Sequence, residues 1–167
     1  MSGTVVSINV SPDGGVPKYP VDCAMVEEVG ISGDYNWFRS NKKAGDADRA
    51  VSIFSIENIL ALQSEGHPIE VGSTGENLTV EGIPWTTLKV GMRLQAGNAL
   101  LELSEPCAPC SKIGKSFVGN RFSRIDHDEE EGWSRWVARV VEPGLVETGD
   151  WIRIVDAGFA IVIYEVG

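Results

Sequence analysis

Short apolar runs, each closed by a glycine or proline, set the limits on what this chain can fold into. They recur at residues 4–10, 50–54, 77–80, 92–96, 99–103, 136–141, 151–155 and 160–166. Their Val, Ile, Leu and Trp content and their length suit strands rather than helices. Gly82, Gly91, Gly97, Gly144, Gly149 and Gly158 supply sharp turns between them. With 19 Gly and 8 Pro in 167 residues, a bundle of long helices is disfavoured. One helix is predicted over residues 56–65: Ser55 can cap its first turn, Ile56, Ile59 and Leu60 share a face, and Gly66 can end it. A second, shorter helix is expected after Ser111. The pattern predicts a mostly β, barrel-like fold in one domain spanning residues 1–167. A seven-residue echo, Leu88-Lys89-Val90-Gly91-Met92-Arg93-Leu94 and Val146-Glu147-Thr148-Gly149-Asp150-Trp151-Ile152, places two similar turn-then-strand corners at distant positions, as a closed barrel would.

Charge narrows the partners. The formal net charge of −10 repels duplex DNA and anionic bilayers, which excludes general nucleic-acid binding and membrane association. No apolar run approaches the ~20 residues of a spanning helix, and the N-terminus carries no export or acylation signal. A cytoplasmic protein is expected. The acidic run from Asp126 to Glu131 reads as a solvated loop, with His127 a candidate ligand only for a hard divalent cation. Three cysteines, Cys23, Cys107 and Cys110, do not make a secreted disulfide framework.

The segment Leu101-Glu102-Leu103-Ser104-Glu105-Pro106-Cys107-Ala108-Pro109-Cys110-Ser111-Lys112 concentrates the chemistry. It begins as an alternating strand. Its two prolines are expected to end ladder pairing and to present Cys110 on irregular backbone at the start of a helical turn. Exposed N–H groups there, with Lys112 two residues on, would favour a thiolate for nucleophilic or metal-binding work. The plainer reading is a buried cysteine acting as a small hydrophobe, which is favoured for Cys23. Cys107 and Cys110 form C-x-x-C, but a zinc site lacks paired partners and a thioredoxin-like dithiol lacks its βαβ context. Cys107 is left as a resolving thiol.

Lys112, Lys115, Arg121 and Arg124 give a stretch of +4 free of acids, and Arg39, Lys42, Lys43 and Arg49 form a second basic island. The two islands can close on one anion if the fold joins them; taken singly, each residue reads as ordinary surface charge. The loop Gly72-Ser73-Thr74-Gly75-Glu76-Asn77 is neither a P-loop nor a dinucleotide fingerprint. Its backbone can still form an anion nest, with Glu76 and Asn77 offering an acceptor and an amide to a heterocycle. As a plain turn it would need no ligand.

Taken in order, these residues resemble the MOSC family, named after the C-terminal part of molybdenum cofactor sulfurase. The resemblance is carried by Gly30-Ile31-Ser32-Gly33-Asp34, Arg49-Ala50-Val51-Ser52-Ile53 leading to Glu57, Gly75-Glu76-Asn77-Leu78, Gly91 before a strand, Pro109-Cys110 and Gly149-Asp150. The family often has His after an Arg where Tyr35 and Asn36 stand, and a basic residue where Cys107 stands. The resemblance implies a barrel-like β fold and a stand-alone, bacterial-type member. It further implies the molybdenum cofactor (molybdopterin) as ligand, with Cys110 the functional thiol and the molybdenum ligand. Arg49, Ser55, Glu76, Asn77, Lys112 and Arg121 are the residues expected to contact the cofactor, with the basic islands and the Gly75-Glu76-Asn77 loop facing the same pocket as Cys110. Reduction of N-hydroxylated compounds is the activity implied first, with electrons from a separate redox partner. A sulfur carrier holding a persulfide on Cys110, supplied by a sulfur donor, and a non-catalytic binding domain are the alternatives. The chain has no room for a pyridoxal phosphate domain. Cys110→Ser is expected to abolish cofactor retention or sulfur loading.

Overall fold

In the computed structural model, residues 2–35 and 46–155 are described. The strands are β1 (Ser2–Val10), β2 (Tyr19–Val21), β3 (Cys23–Glu27), β4 (Gly30–Ile31), β5 (Val51–Ser55), β6 (Leu78–Glu81), β7 (Arg93–Ala96), β8 (Ala99–Cys107), β9 (Arg135–Glu142), β10 (Gly144–Glu147) and β11 (Trp151–Val155). The one α-helix among the described residues, α1, spans Ile56–Ser64. Seven strands run in the order β11-β7-β8-β9-β5-β6-β1, and pairing of β1 with β11 closes them into a barrel. Closure leaves no long open sheet edge, which is how a small all-strand sequence avoids pairing with its own copies. The long β1 serves twice along one edge: Ser2 to Thr4 pair with β11, and Ile8 to Val10 pair with β2. A separate three-stranded sheet, β10-β3-β4, lies beside the barrel.

Among the described strands, only β5 and β6 pair in parallel. A parallel pair needs a crossover, and α1 supplies it. The Ser55 hydroxyl accepts from Asn58 N–H at 3.1 Å and so caps the helix. Gly66, at φ +98°, takes the left-handed conformation that ends it. Ile59 and Leu62 are buried, whereas Leu60, expected on the inner face, is exposed. The inward stripe steps by three residues from the partly buried Ile56 through Ile59 to Leu62. The barrel is filled by inward residues of every strand, among them Val5, Ile8, Ile53, Leu78, Leu94 and Leu101. No helix among the described residues is long and apolar enough to cross a membrane.

Two expectations change, and a third is met. The strand starting at Ala99 does not stop at Leu103; it pairs with β9 as far as Cys107 opposite Arg135. On the β7 side the backbone bonds of β8 run on to Leu103, whose N–H donates to Met92 O and whose carbonyl accepts from Gly91 N–H; among the described residues no pairing on that side is seen at Pro106, where a missing N–H is tolerated. A register shift between Leu103 and Glu105 marks the bulge that lets the strand run on. The helix expected after Ser111 is a 3₁₀ turn over Ser111–Ser116. The Asn120 side chain lies against Gly114, where a Cβ would come within 2.7 Å of its Oδ1. The two echoing segments are neighbours: their strands, β7 and β11, pair antiparallel with Ile152 opposite Ala96 and Ile154 opposite Leu94. The run at 160–166 lies outside the described residues, as do Arg39, Lys42 and Lys43.

Candidate active site

Where β8 ends, the chain leaves the barrel wall and opens a cavity of about 730 Å³, within the usual range of small-molecule sites. Cys110 lines it. This residue is the N-cap of the 3₁₀ turn, with extended backbone at φ −141° and ψ 173°, and its thiol is exposed. Cys107 lines the same cavity from the end of β8 and is buried. Cys23, expected to be buried, is exposed at the start of β3 and is not among the lining residues.

Among the described residues, four cationic side chains face this space: Lys18, Arg49, Lys112 and Arg135. Arg49 sits at the end of a 3₁₀ turn that leads into β5; its Nη1 pairs with Glu105 Oε1 at 2.6 Å and its Nη2 approaches Cys107 Sγ at 3.9 Å. Lys18 is buried and donates from Nζ to Asp34 Oδ2 at 2.5 Å. Arg135, only 7% exposed, donates from Nη1 to the Thr74 carbonyl at 2.6 Å, and its buried Nε has no hydrogen-bond partner. No carboxylate among the described residues pairs with it. A buried guanidinium with five donors and a single carbonyl partner retains a large unmet demand for negative charge.

The glycine-rich loop takes part through its backbone rather than its expected side chains. Thr74 and Gly75 line the cavity; Glu76 and Asn77 point away from it and are buried. The Glu76 carboxylate accepts from Gly72 N–H at 3.0 Å and Thr79 Oγ1 at 2.9 Å on one oxygen, and from Thr74 Oγ1 at 2.9 Å on the other. Burial pushes its pKa above the usual carboxylate range, against the pull of those donors. Asn77 uses its whole amide on the protein. Its Oδ1 accepts from Ser52 N and Oγ at 3.1 and 3.2 Å, and its Nδ2 donates to Asn9 O and Asp34 Oδ2 at 3.2 and 3.0 Å. No donor or acceptor is left over for a ligand. Asp34 thereby links Asn77 to Lys18, so the two buried residues fix a cation that does reach the cavity.

Ser55 is occupied as the α1 cap and is not among the lining residues. Arg121 is exposed and also outside the lining, and Arg124 pairs with Glu65 and Glu130 over the Trp133 ring instead. Of the cofactor contacts expected from sequence, the fold therefore brings Arg49 and Lys112 to Cys110, and leaves Ser55, Glu76, Asn77 and Arg121 off the cavity wall. Lys18 and Arg135 were missed. Lys18 follows an unremarkable Gly14-Gly15-Val16-Pro17 turn, but Arg135 carried a signal: a charge set between Trp133 and Trp136 at the start of a buried strand.

Beyond Glu105 and Ala108, which serve both spaces, lies a second cavity of about 480 Å³ with Trp136 and His127 on its wall. Part of the acidic run thus lines a hollow, with Asp126, Asp128 and Glu131 around it. Among the described residues, no three His, Cys, Asp or Glu side chains gather as a metal-ion site.

Comparison with known proteins finds relatives that cover most of the chain. Protein YiiM of Escherichia coli (strain K12) is 25% identical over 166 residues, which cover 95% of this chain and 72% of YiiM. A protein named "Reductase" from Gibberella moniliformis is 28% identical over 142 residues, covering 82% of this chain but 24% of that protein. Both relatives are longer than the chain. The crystal structure of YiiM from Geobacillus stearothermophilus superposes with a TM-score of 0.70 at 25% identity, over 93% of this chain and 76% of that one. The MOSC domain profile matches residues 33–153, which takes in Arg49, the glycine-rich loop, both cavity cysteines and Arg135, and the chain belongs to the MOSC domain family.

Proposed function

We propose that the cavity binds the molybdenum cofactor, with Cys110 as metal ligand, and that the protein reduces the N–O bond of N-hydroxylated compounds using electrons from a separate protein. The observation that carries this reading is the meeting of one exposed thiol with Arg135, a buried guanidinium lacking a carboxylate, on one cavity wall. A phosphorylated pterin presents both needs at once: an anion for the guanidinium and a metal for the soft sulfur donor. The cavity volume and donor set fit that group. Bound there, the cofactor would supply two-electron redox chemistry at the metal.

The chain's own residues divide the remaining work. Arg135, oriented by the Thr74 carbonyl, holds the anionic end, with Lys18 anchored nearby by Asp34. Arg49, oriented by Glu105, faces the thiol side, and Lys112, in the first turn of the 3₁₀ segment, borders Cys110. Ser52 ties these parts together, donating from its hydroxyl to Gly75 O at 3.1 Å while its N–H holds Asn77. The apolar side of the cavity, with Val16, Ile113 and Val137, restricts water around whatever is bound. The name of the fungal relative agrees with a reductive role.

The test is metal and pterin analysis of protein made in a cofactor-competent host, beside Cys110→Ser. Serine keeps the size of cysteine but is neither ionised near neutral pH nor a soft donor. Co-purified molybdenum and pterin, with molybdenum lost from Cys110→Ser, supports the reading. Protein carrying labile sulfur on Cys110 and no molybdenum replaces it with a sulfur carrier, and protein carrying neither leaves a binding domain without redox chemistry.

A further inference from the structure

We propose that Cys107 and Cys110 form a reversible disulfide, through which the protein takes up a two-electron oxidation of Cys110 by hydrogen peroxide or an organic hydroperoxide. Two features of the cavity carry this. First, the two thiols share one cavity wall but differ in access: Cys110 is exposed at the mouth, and Cys107, at 7% exposure, lies further in. An oxidant therefore meets Cys110 first, and the product is within the reach of a second thiol three residues away. Cys23 lines neither cavity.

Second, the backbone between them lies outside the strand ladder, and Cys110 enters the 3₁₀ turn with its carbonyl accepting from Ile113 N–H at 3.1 Å. Ladder pairing of β8 ends at Cys107, so residues 108–110 draw inward without breaking a strand hydrogen bond. Three residues of extended chain span at most ~10 Å, and a disulfide needs Cα atoms about 4.4–6.8 Å apart; a modest bend at Ala108-Pro109 covers the difference. Cys107 is held in place for the second step, with Arg49 Nη2 donating toward its sulfur at 3.9 Å and Arg135 as its cross-strand neighbour.

The chemistry balances in two steps. The Cys110 thiolate attacks one peroxide oxygen, the O–O bond breaks, and Cys110 becomes a sulfenic acid while hydroxide or alkoxide leaves and takes up a proton. The Cys107 thiol then attacks the sulfenic sulfur, the S–S bond forms, the S–O bond breaks, and the oxygen leaves as water with the proton of Cys107. The peroxide is reduced by two electrons and the cysteine pair oxidised by two; a dithiol reductant reverses the change. Without Cys107 the sulfenic acid has no internal partner and proceeds to sulfinic and sulfonic acids, which dithiols do not reduce. The consequence, though not the thiol chemistry, rests on the function proposed above: with Cys110 as molybdenum ligand, the disulfide withdraws the thiolate and releases the metal in recoverable form.

Mass spectrometry of the folded protein tests this without any activity assay, since both cysteines fall in one tryptic peptide, residues 94–112. After treatment with equimolar and then excess hydrogen peroxide, wild type should show that peptide short of two hydrogens, and dithiothreitol should restore both thiols. In Cys107→Ser the same treatment should add two or three oxygens to Cys110, with less than a tenth of the thiol recovered. Cys107→Ala, with circular dichroism of both variants, separates a missing partner from a damaged fold. Recovery of Cys110 in either folded Cys107 variant equal to wild type, or over-oxidation of wild-type Cys110 with Cys107 still alkylatable, overturns the proposal. Molybdenum content before and after oxidation reports separately on the ligand role of Cys110.

Discussion

Glu76 distinguishes a residue that builds the site from one that touches the ligand, and its removal has a calculable cost. Among the described residues its carboxylate is the sole acceptor for the Gly72 N–H and the Thr79 and Thr74 hydroxyls, all inside the protein. Glu76→Ala leaves that amide without a partner, at about 1–3 kcal/mol. The hydroxyls can rotate but have few new acceptors, and the lost packing adds to the cost, so a total of about 3–5 kcal/mol is expected. That is a large share of the ~5–15 kcal/mol by which a domain is stable. Glu76→Gln keeps the shape and one acceptor, and the Thr74 hydroxyl can turn to accept from the new amide, so its cost should be small. The pH dependence has a definite sign. Burial raises the native pKa, so the native state holds this proton more tightly than the unfolded chain does; stability from this group is greatest below about 4.5 and falls as pH rises through the raised value. Glu76→Gln should flatten that decline. Urea denaturation of the three proteins across a pH series, together with molybdenum content, makes the comparison. If Glu76→Ala costs under about 1 kcal/mol yet strips the protein of cofactor, then Glu76 is a ligand contact and the scaffold argument is wrong.

Three further outcomes follow from the same geometry. Gly72→Ala should destabilise by about 2 kcal/mol or more, since Gly72 sits at φ +80° with the Lys18 carbonyl where a Cβ would go; urea midpoints measure it. Arg135→Met should leave stability unchanged or raise it, because it removes a buried charge with no carboxylate partner, while co-purified molybdenum and pterin fall sharply. Glu102→Gln should cost about 0.2–1 kcal/mol at neutral pH and nothing in acid. Arg139 and Arg93 hold the Glu102 pKa below about 4.5, so its contribution is present above that value and fades as pH falls through the lowered one; thermal melts at two pH values show the difference.

Much of the barrel was legible because a buried strand and a glycine turn both announce themselves locally. The runs that became β1, β5, β6, β7, β9 and β11 are dense in branched apolar residues, and the one helix had a cap, a stripe and a stop. The short strands were not legible for the same physical reason. Tyr19–Val21 and Gly30–Ile31 hold too few residues for a period to appear, and Cys23–Glu27 alternates over only five, with a cysteine and glutamate at its ends. Their pairing is decided by partners such as Ile8 and Val146, distant in sequence. Proline was over-read: at Pro106 the absence of a neighbour on one side, which no local rule reports, decides that the strand continues.

The site shows a different limit, because sequence order ranks residues by chemical type while the fold ranks them by where their side chains point. Glu76, Asn77 and Ser55 have the right types, yet each spends its hydrogen bonds on the protein; Ser55 caps α1, and what reaches the cavity from the other two is the loop or cation they fix in place. Asn77 holds Asp34, Asp34 holds Lys18, and Glu76 holds the loop whose Thr74 carbonyl receives Arg135. The Gly-Glu-Asn-Leu signature therefore acts one layer behind the chemistry. It sets the positions of two cations that come from loops and strands with no motif of their own, which is why the signature could be read and the cations could not. A substitution within that signature should accordingly be seen first as a change in stability and only through it as a change in binding, whereas a substitution at Arg135 or Cys110 should alter binding in a protein that still folds.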